Sequence, residues 1–296
     1  IQTTGSHTGG IAGILRSSGI THAEFQGSIT TAGHFAGGIA GYVYGSRQTI
    51  SKVRFQGQLT ATNPSSTVGF GGIIGGLSGG HTGTDSPFCP GGCFPATTRI
   101  TAQDKVQKGF ATSNRNFHLS RALVNGAIKG GSKTGGIVGH VFGPRLKENT
   151  HSPEIRQQIQ LVRNNAQVTG TSFVGGLMGY LQGGHIHSSE NTGLVEGDSA
   201  VGSLVGSMRA SSRLNDSVAS GHVTVKTHAG GGMVGEVALL QAEIDQIQSV
   251  LWKSHTFLTI ERVLSTADVT KGPEATAVAA GVGLLHSDRT GLAFAK

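Results

Sequence analysis

The sequence predicts an all-β protein, a parallel β-solenoid (β-helix) of about eight glycine-rich coils carrying a cysteine-containing loop insert and one short helical insert. Three observations predict it. Glycine supplies 49 of 296 residues against 7 prolines, yet 36% hydrophobic content is too apolar for a linker or disordered tail, so the glycines belong to packed structure. One phrase recurs eight times: GGIAG at Gly9 and Gly37, GGIIG at Gly71, GGIVG at Gly135, GGLMG at Gly175, GSLVG at Gly202, GGMVG at Gly231 and a decayed AAGVG at Ala279. Finally, the residues before each phrase keep a fixed internal spacing while all length variation falls elsewhere, which is what stacked structural units produce.

That spacing can be followed through the chain. A small residue and, two places later, a branched apolar one precede every phrase but the first, from Gly27 with Ile29 to Ala267 with Val269. Seven residues before each small position stands an aliphatic residue: Ile20, Ile50, Leu119, Ile159, Ile186, Leu214 or Ile260. The minimal unit runs 27 to 29 residues, as from Gly9 to Gly37, Gly175 to Gly202 and Gly202 to Gly231. Alternation within "GGIAGYV" suits a strand, and three short strands per unit are expected. Five glycines in the eleven residues 174–184 exclude a helical repeat, since each interior glycine costs a helix about 1 kcal/mol relative to alanine. Propeller blades need roughly 40 to 45 residues, so these units are too short. The structural glycines are expected at Gly37, Gly38, Gly41, Gly71, Gly72, Gly75, Gly135, Gly136, Gly139, Gly175, Gly176 and Gly179, where small residues let facing sheets approach and the chain turn.

The phrases "GGIVGHV", "GGLMGYL" and "GSLVGSM", with "NTGLVEG" or "FQGSITT" before them, resemble the GLUG-repeat motif over nearly the whole chain. The resemblance departs at Ser203 and at Ala279 and Ala280, where the glycine doublet is lost. It implies an extracellular or cell-surface location, as in large bacterial adhesins and the noncatalytic regions of some immunoglobulin-cleaving proteases. It implies architecture and place, not a reaction.

Residues 1–296 read as a single solenoid domain with inserts at about 80–118, 144–158 and 238–257. The first contains "SPFCPGGCFP", where Cys89 and Cys93 flank a Pro-Gly-Gly turn. A disulfide closing this loop is the favoured reading and suits an oxidising compartment. Metal binding would need about four ligands, with only His81 nearby in sequence, and two free thiols are the third reading. In the last insert Leu240, Ile244, Ile247 and Leu251 recur at helical spacing, so an amphipathic helix packed on the solenoid is expected, with Trp252 in that packing. A partner-binding helix is the alternative.

Candidate chemistry is sparse. "HIH" places His185 and His187 on one strand face with Glu190 close by, a weak metal constellation without a third firm ligand. No HExxH, GxSxG or P-loop signature and no nucleophile-and-base pair appears, so no catalytic residue and no cofactor are expected. The +7 formal charge is scattered, with modest clusters at Arg99, Lys105, Lys108, Arg115 and Arg121 and at Arg145, Lys147, Arg156 and Arg163. These suit a solubilising surface, or contact with acidic polysaccharide; without aromatic interleaving no nucleic-acid partner is expected. No apolar run reaches the roughly 18 residues of a membrane span.

"TGLAFA" at the C-terminus resembles "TGLVEG" at 192–197, and the unit at Gly9 lacks its first half, so both ends are expected to be cut mid-repeat. Their exposed edges would pair with copies of the chain or with adjacent repeats of a longer one. The function expected is a noncatalytic structural or adhesive solenoid, a filament subunit or a surface stalk. A carbohydrate-active enzyme or glycan-binding module on the same scaffold is the alternative.

Overall fold

The computed structural model describes residues 1–45, 48–78, 117–142, 157–209, 212–239 and 258–287. Among them every regular element is a β-strand, and the strands stack in parallel in three sheets. Two sheets hold eight strands each, one strand following the last in chain order. The second sheet runs from Thr8–Gly9 to Ala277–Ala279, and the third from Ala12–Arg16 to Val282–Ser287. The first, wide sheet has 16 strands. Its early members Ile20–Thr31, Gln48–Ala61 and Phe117–Lys129 are long and continuous rather than short pieces. Later repeats divide the same path into three, as at Gln157–Gln160, Arg163–Asn164 and Gln167–Thr169.

The sequence register is the pairing register. Gly27 pairs Gly57, which pairs Gly126, and Ile29, Leu59, Ile128, Val168, Val195, Val223 and Val269 form one column. The interior members of this column are fully buried, as are Ile39, Ile73, Ile137, Leu177 and Leu204 behind the glycine doublets. Each repeat alone would present these side chains to water; stacking removes both faces from it.

One irregularity is itself periodic. Ile50 and Val53 both point into the core although strand alternation would place them on opposite faces. Lys52 between them has φ +54°, and the equivalent residues His22, Arg121, Leu161, Ser188, Asp216 and Arg262 lie between +50° and +55°. A left-handed residue at this step resets the alternation and bends the strand, at about 1 kcal/mol or more for a side chain with a Cβ.

The glycine phrase has a separate steric reason at each position, visible in the repeat at 175–179. A Cβ on Gly175 would meet the Met178 carbonyl and stand 2.7 Å from the Gly206 nitrogen of the next repeat. On Gly176 it would strike the Ser203 carbonyl and the Asn191 amide group, which packs across the interior from the wide sheet. On Gly179 it would strike the Lys133 carbonyl carbon and stand 2.6 Å from Gly139 O and Thr134 N, all backbone. The doublet's second position therefore trades volume with one wide-sheet column, Phe25, Phe55, Val124, Asn164, Asn191, Ala219 and Ser265. Where the glycine is replaced, at Ser203, the column's next residue is the small Ala219, so the departure at Ser203 is matched across the core.

Within that column Phe25 and Phe55 stack with centroids 6.1 Å apart, and two asparagines then form a buried ladder. Asn164 Nδ2 donates to Asn191 Oδ1 at 2.8 Å and to the Ala166 carbonyl at 3.2 Å. Asn191 Nδ2 donates to Ser203 Oγ and to the Gly193 carbonyl, both at 3.1 Å, while the Gly193 N–H donates to Asn191 Oδ1 at 3.3 Å. Both asparagines are fully buried, and these bonds satisfy the amides.

Strand reaches to the edges of the expected inserts. Residues 117–118 and 157–158 are wide-sheet strand, His118 pairing with Thr49 and Gln158, and 238–239 is strand paired with His286 and Ser287. The backbone ladder of the neighbouring repeats extends over them. Cys89, Cys93, the 144–156 segment and the helix expected over 240–257 lie outside the described residues. All three inserts share one place in the path, after a third-sheet strand and before a wide-sheet strand. Among the described residues no helix is long and apolar enough to cross a membrane.

Candidate functional site

The histidines singled out in the sequence stand on the wide sheet. His185 and His187 flank the buried Ile186 with ring centroids 4.9 Å apart, and His185 Nε2 bonds Asn215 Oδ1 in the next repeat. Glu190 faces Arg163 at 3.3 Å instead of turning to the imidazoles. Among the described residues no three His, Cys, Asp or Glu side chains gather as a metal site would require. His118 belongs to the same face and bonds Gln160 at 2.7 Å. Partial burial and the neighbouring His185 and His118 lower the affinity of His187 for a proton, against the opposing pull of Asp216.

A larger constellation lies along the junction of the second and third sheets. Tyr42, Gly76, His140, Tyr180, Ser207 and Glu236 stack as one third-sheet column. Within it His140 and Ser207 are fully buried. What covers it is a second column, two residues before each glycine doublet, whose members His7, Phe35, Lys133 and Phe173 all have φ between +54° and +61°. The left-handed backbone turns these side chains over the third sheet. Phe35 stacks on His7 at 5.6 Å and His140 at 6.4 Å and lies 5.0 Å from Tyr42, in space left by Gly69 and Gly76.

The row continues with charge. His140 and Phe173 meet Tyr180 edge to face at 5.0 and 5.8 Å. The Lys133 ammonium sits 4.5 Å from the Tyr180 centroid and 3.4 Å from His140 Nε2. The Arg209 guanidinium lies 5.4 Å from Tyr180 and 5.8 Å from Phe173, donates to Ser207 Oγ at 3.0 Å and pairs with Glu236 at 3.0 Å. Cation–ring contacts that are partly desolvated are worth about 0.5–2 kcal/mol each, and those of Lys133 and Arg209 tie three successive repeats together along the stacking direction.

Burial governs its protonation. His140 is held neutral, its pKa well below 6.5, by desolvation first and by Lys133 second. Desolvation, with Arg209 adding repulsion, brings Lys133 from 10.5 to about 8. Both pKa values are depressed, so the unfolded chain binds more protons below about pH 6.5 at the histidine and between about pH 8 and 10.5 at the lysine. Stability therefore falls as pH drops below about 6.5, with a limiting slope of about 1.4 kcal/mol per pH unit from His140. Thermal unfolding of wild type and His140→Phe between pH 7.5 and 5 checks this. The melting temperature of the variant should fall less on acidification, and equal slopes would assign the acid sensitivity elsewhere.

The sequence reading missed this row because its members are far apart in the chain. Tabulating the residue two places before each doublet would have exposed it. No protein-family model, curated protein or solved structure matches this chain.

Proposed function

We propose that the chain is a noncatalytic β-solenoid of about eight coils, of the GLUG-repeat kind, serving outside the cell or on its surface as a filament subunit or a stalk or adhesin segment. One observation supports this reading: parallel register is kept from repeat to repeat through the described residues, with like side chains stacked in buried columns. Ile11 is 49% exposed where Ile39, Ile73 and Ile137 are buried, and Leu285 is 40% exposed where Val237 and Val141 are buried. A stack of like repeats can be extended by another repeat of the same kind, whose apolar columns continue those already there.

Light scattering and negative-stain microscopy over a concentration series test it. Wild type should lengthen into regular rods as concentration rises, and Ile11→Glu with Leu285→Glu should remain short at every concentration. Wild type that stays monomeric throughout would remove the filament reading. Polysaccharide cleavage abolished by mutating clustered carboxylates such as Asp216 and Glu261 would overturn the noncatalytic one.

A further inference from the structure

The wide sheet divides its charge unevenly. Its three long strands Ile20–Thr31, Gln48–Ala61 and Phe117–Lys129 carry the cations Lys52, Arg54, Arg121 and Lys129 against one carboxylate, Glu24, which faces Arg54 at 3.8 Å. Further along the same face two cations stand against carboxylates: Arg163 with Glu190, and Arg262 with Asp216 and Glu261. Lys52, Arg121 and Lys129 are exposed. Lys52 and Arg121 stand side by side on adjacent strands, bracketed by the pairs Ser51 with Ser120 and Val53 with Ala122. Both occupy the left-handed bend, with φ +54°.

We infer that this face binds a linear acidic polysaccharide lying along the stacking direction. The strands advance by about 4.8 Å per repeat, a length of the same order as one sugar of an extended glycan, so Lys52 and Arg121 can meet acid groups on successive sugars. The bend turns both side chains away from the sheet at the crest of the strand, where a ligand crossing the strands meets them first. Ser51, Gln56 and Asn125 alongside supply hydroxyl and amide groups for sugar hydroxyls. Nucleic acid fits less well. The rings of these strands, Phe25, Phe55 and Phe117, pack into or against the core and leave bases nothing to stack on. This contact goes beyond the proposed structural role and is independent of end-to-end assembly.

The test is titration of the full chain with size-fractionated heparin, with dextran as neutral control and a single-stranded oligonucleotide of matched charge as competitor. The double variant Lys52→Glu with Arg121→Glu is compared with Arg213→Glu, an exposed cation elsewhere on the sheet. Heparin should bind, weaken as salt rises, and lose about tenfold or more in affinity in the double variant but less than about twofold in Arg213→Glu. Unchanged melting and rod formation in the double variant would separate loss of this contact from loss of fold or assembly. Equal heparin affinity in wild type and the double variant would overturn the inference, as would no binding at low salt. An oligonucleotide bound as tightly as heparin would also overturn it, marking the face as a general polyanion surface.

Discussion

Replacing Gly179 by alanine is expected to unfold the chain or lower its stability by more than about 4 kcal/mol. The added methyl group would meet Lys133 C, Gly139 O and Thr134 N, backbone atoms of the preceding repeat that belong to two different sheets. No side chain can rotate aside. Relief would require the second and third sheets to separate, and that would break the register of every repeat stacked on this one. A domain of this kind has only about 5–15 kcal/mol of stability to lose. Gly5→Ala is the matched control, since its Cβ would meet only Thr3 Oγ1 at an ordinary 3.5 Å. Its denaturation midpoint should stay within about 0.5 kcal/mol of wild type. Equal stability of the two variants, measured by denaturant unfolding, would mean that the sheets do not approach each other as described.

The same contrast explains how much of this molecule can be read from its sequence. Ile20, Gly27, Ile29 and their successors give the stacking register because burial and backbone clearance constrain each column separately in every repeat. Single-repeat reasoning cannot see a column whose members change chemistry from one repeat to the next. Phe25, Phe55, Val124, Asn164, Asn191, Ala219 and Ser265 share one place yet span rings, amides and a methyl group, because each need only match what the facing doublet leaves free. The left-handed positions are hidden for a different reason. Phe35, Lys133 and Phe173 adopt positive φ without belonging to the residue types that favour it, so no local residue preference marks them. Tertiary packing holds the backbone there, and the ring-and-cation row follows from it. Of the chemistry weighed in the sequence, His185, His187 and Glu190 stand on the wide sheet, where Arg163 faces Glu190 and Asn215 bonds His185 from neighbouring strands.

The buried asparagine pair yields the second large effect. Asn191→Leu keeps the side-chain shape but removes the partner of the Asn164 amide, of Ser203 Oγ and of the Gly193 backbone, all within the core. A buried polar group left unpaired costs about 1–3 kcal/mol, so a loss of about 3 kcal/mol or more is expected. Asn164→Leu should cost less, because the Asn191 amide keeps its bonds to Ser203 and Gly193. The double variant should cost less than the sum of the two, since it no longer strands one amide against an apolar neighbour, and Val124 and Ala219 show that the column accepts apolar side chains. A coupling energy of about 1–2 kcal/mol is expected from the double-mutant cycle by denaturant unfolding. Strict additivity would show that each asparagine serves its own turn and that no ladder couples the repeats. A coupled cycle would make the amide pair a fixed point of register in a core otherwise filled by interchangeable aliphatic groups. Hydrophobic columns tolerate slippage by one repeat, whereas a buried Asn–Asn contact is satisfied in one alignment only.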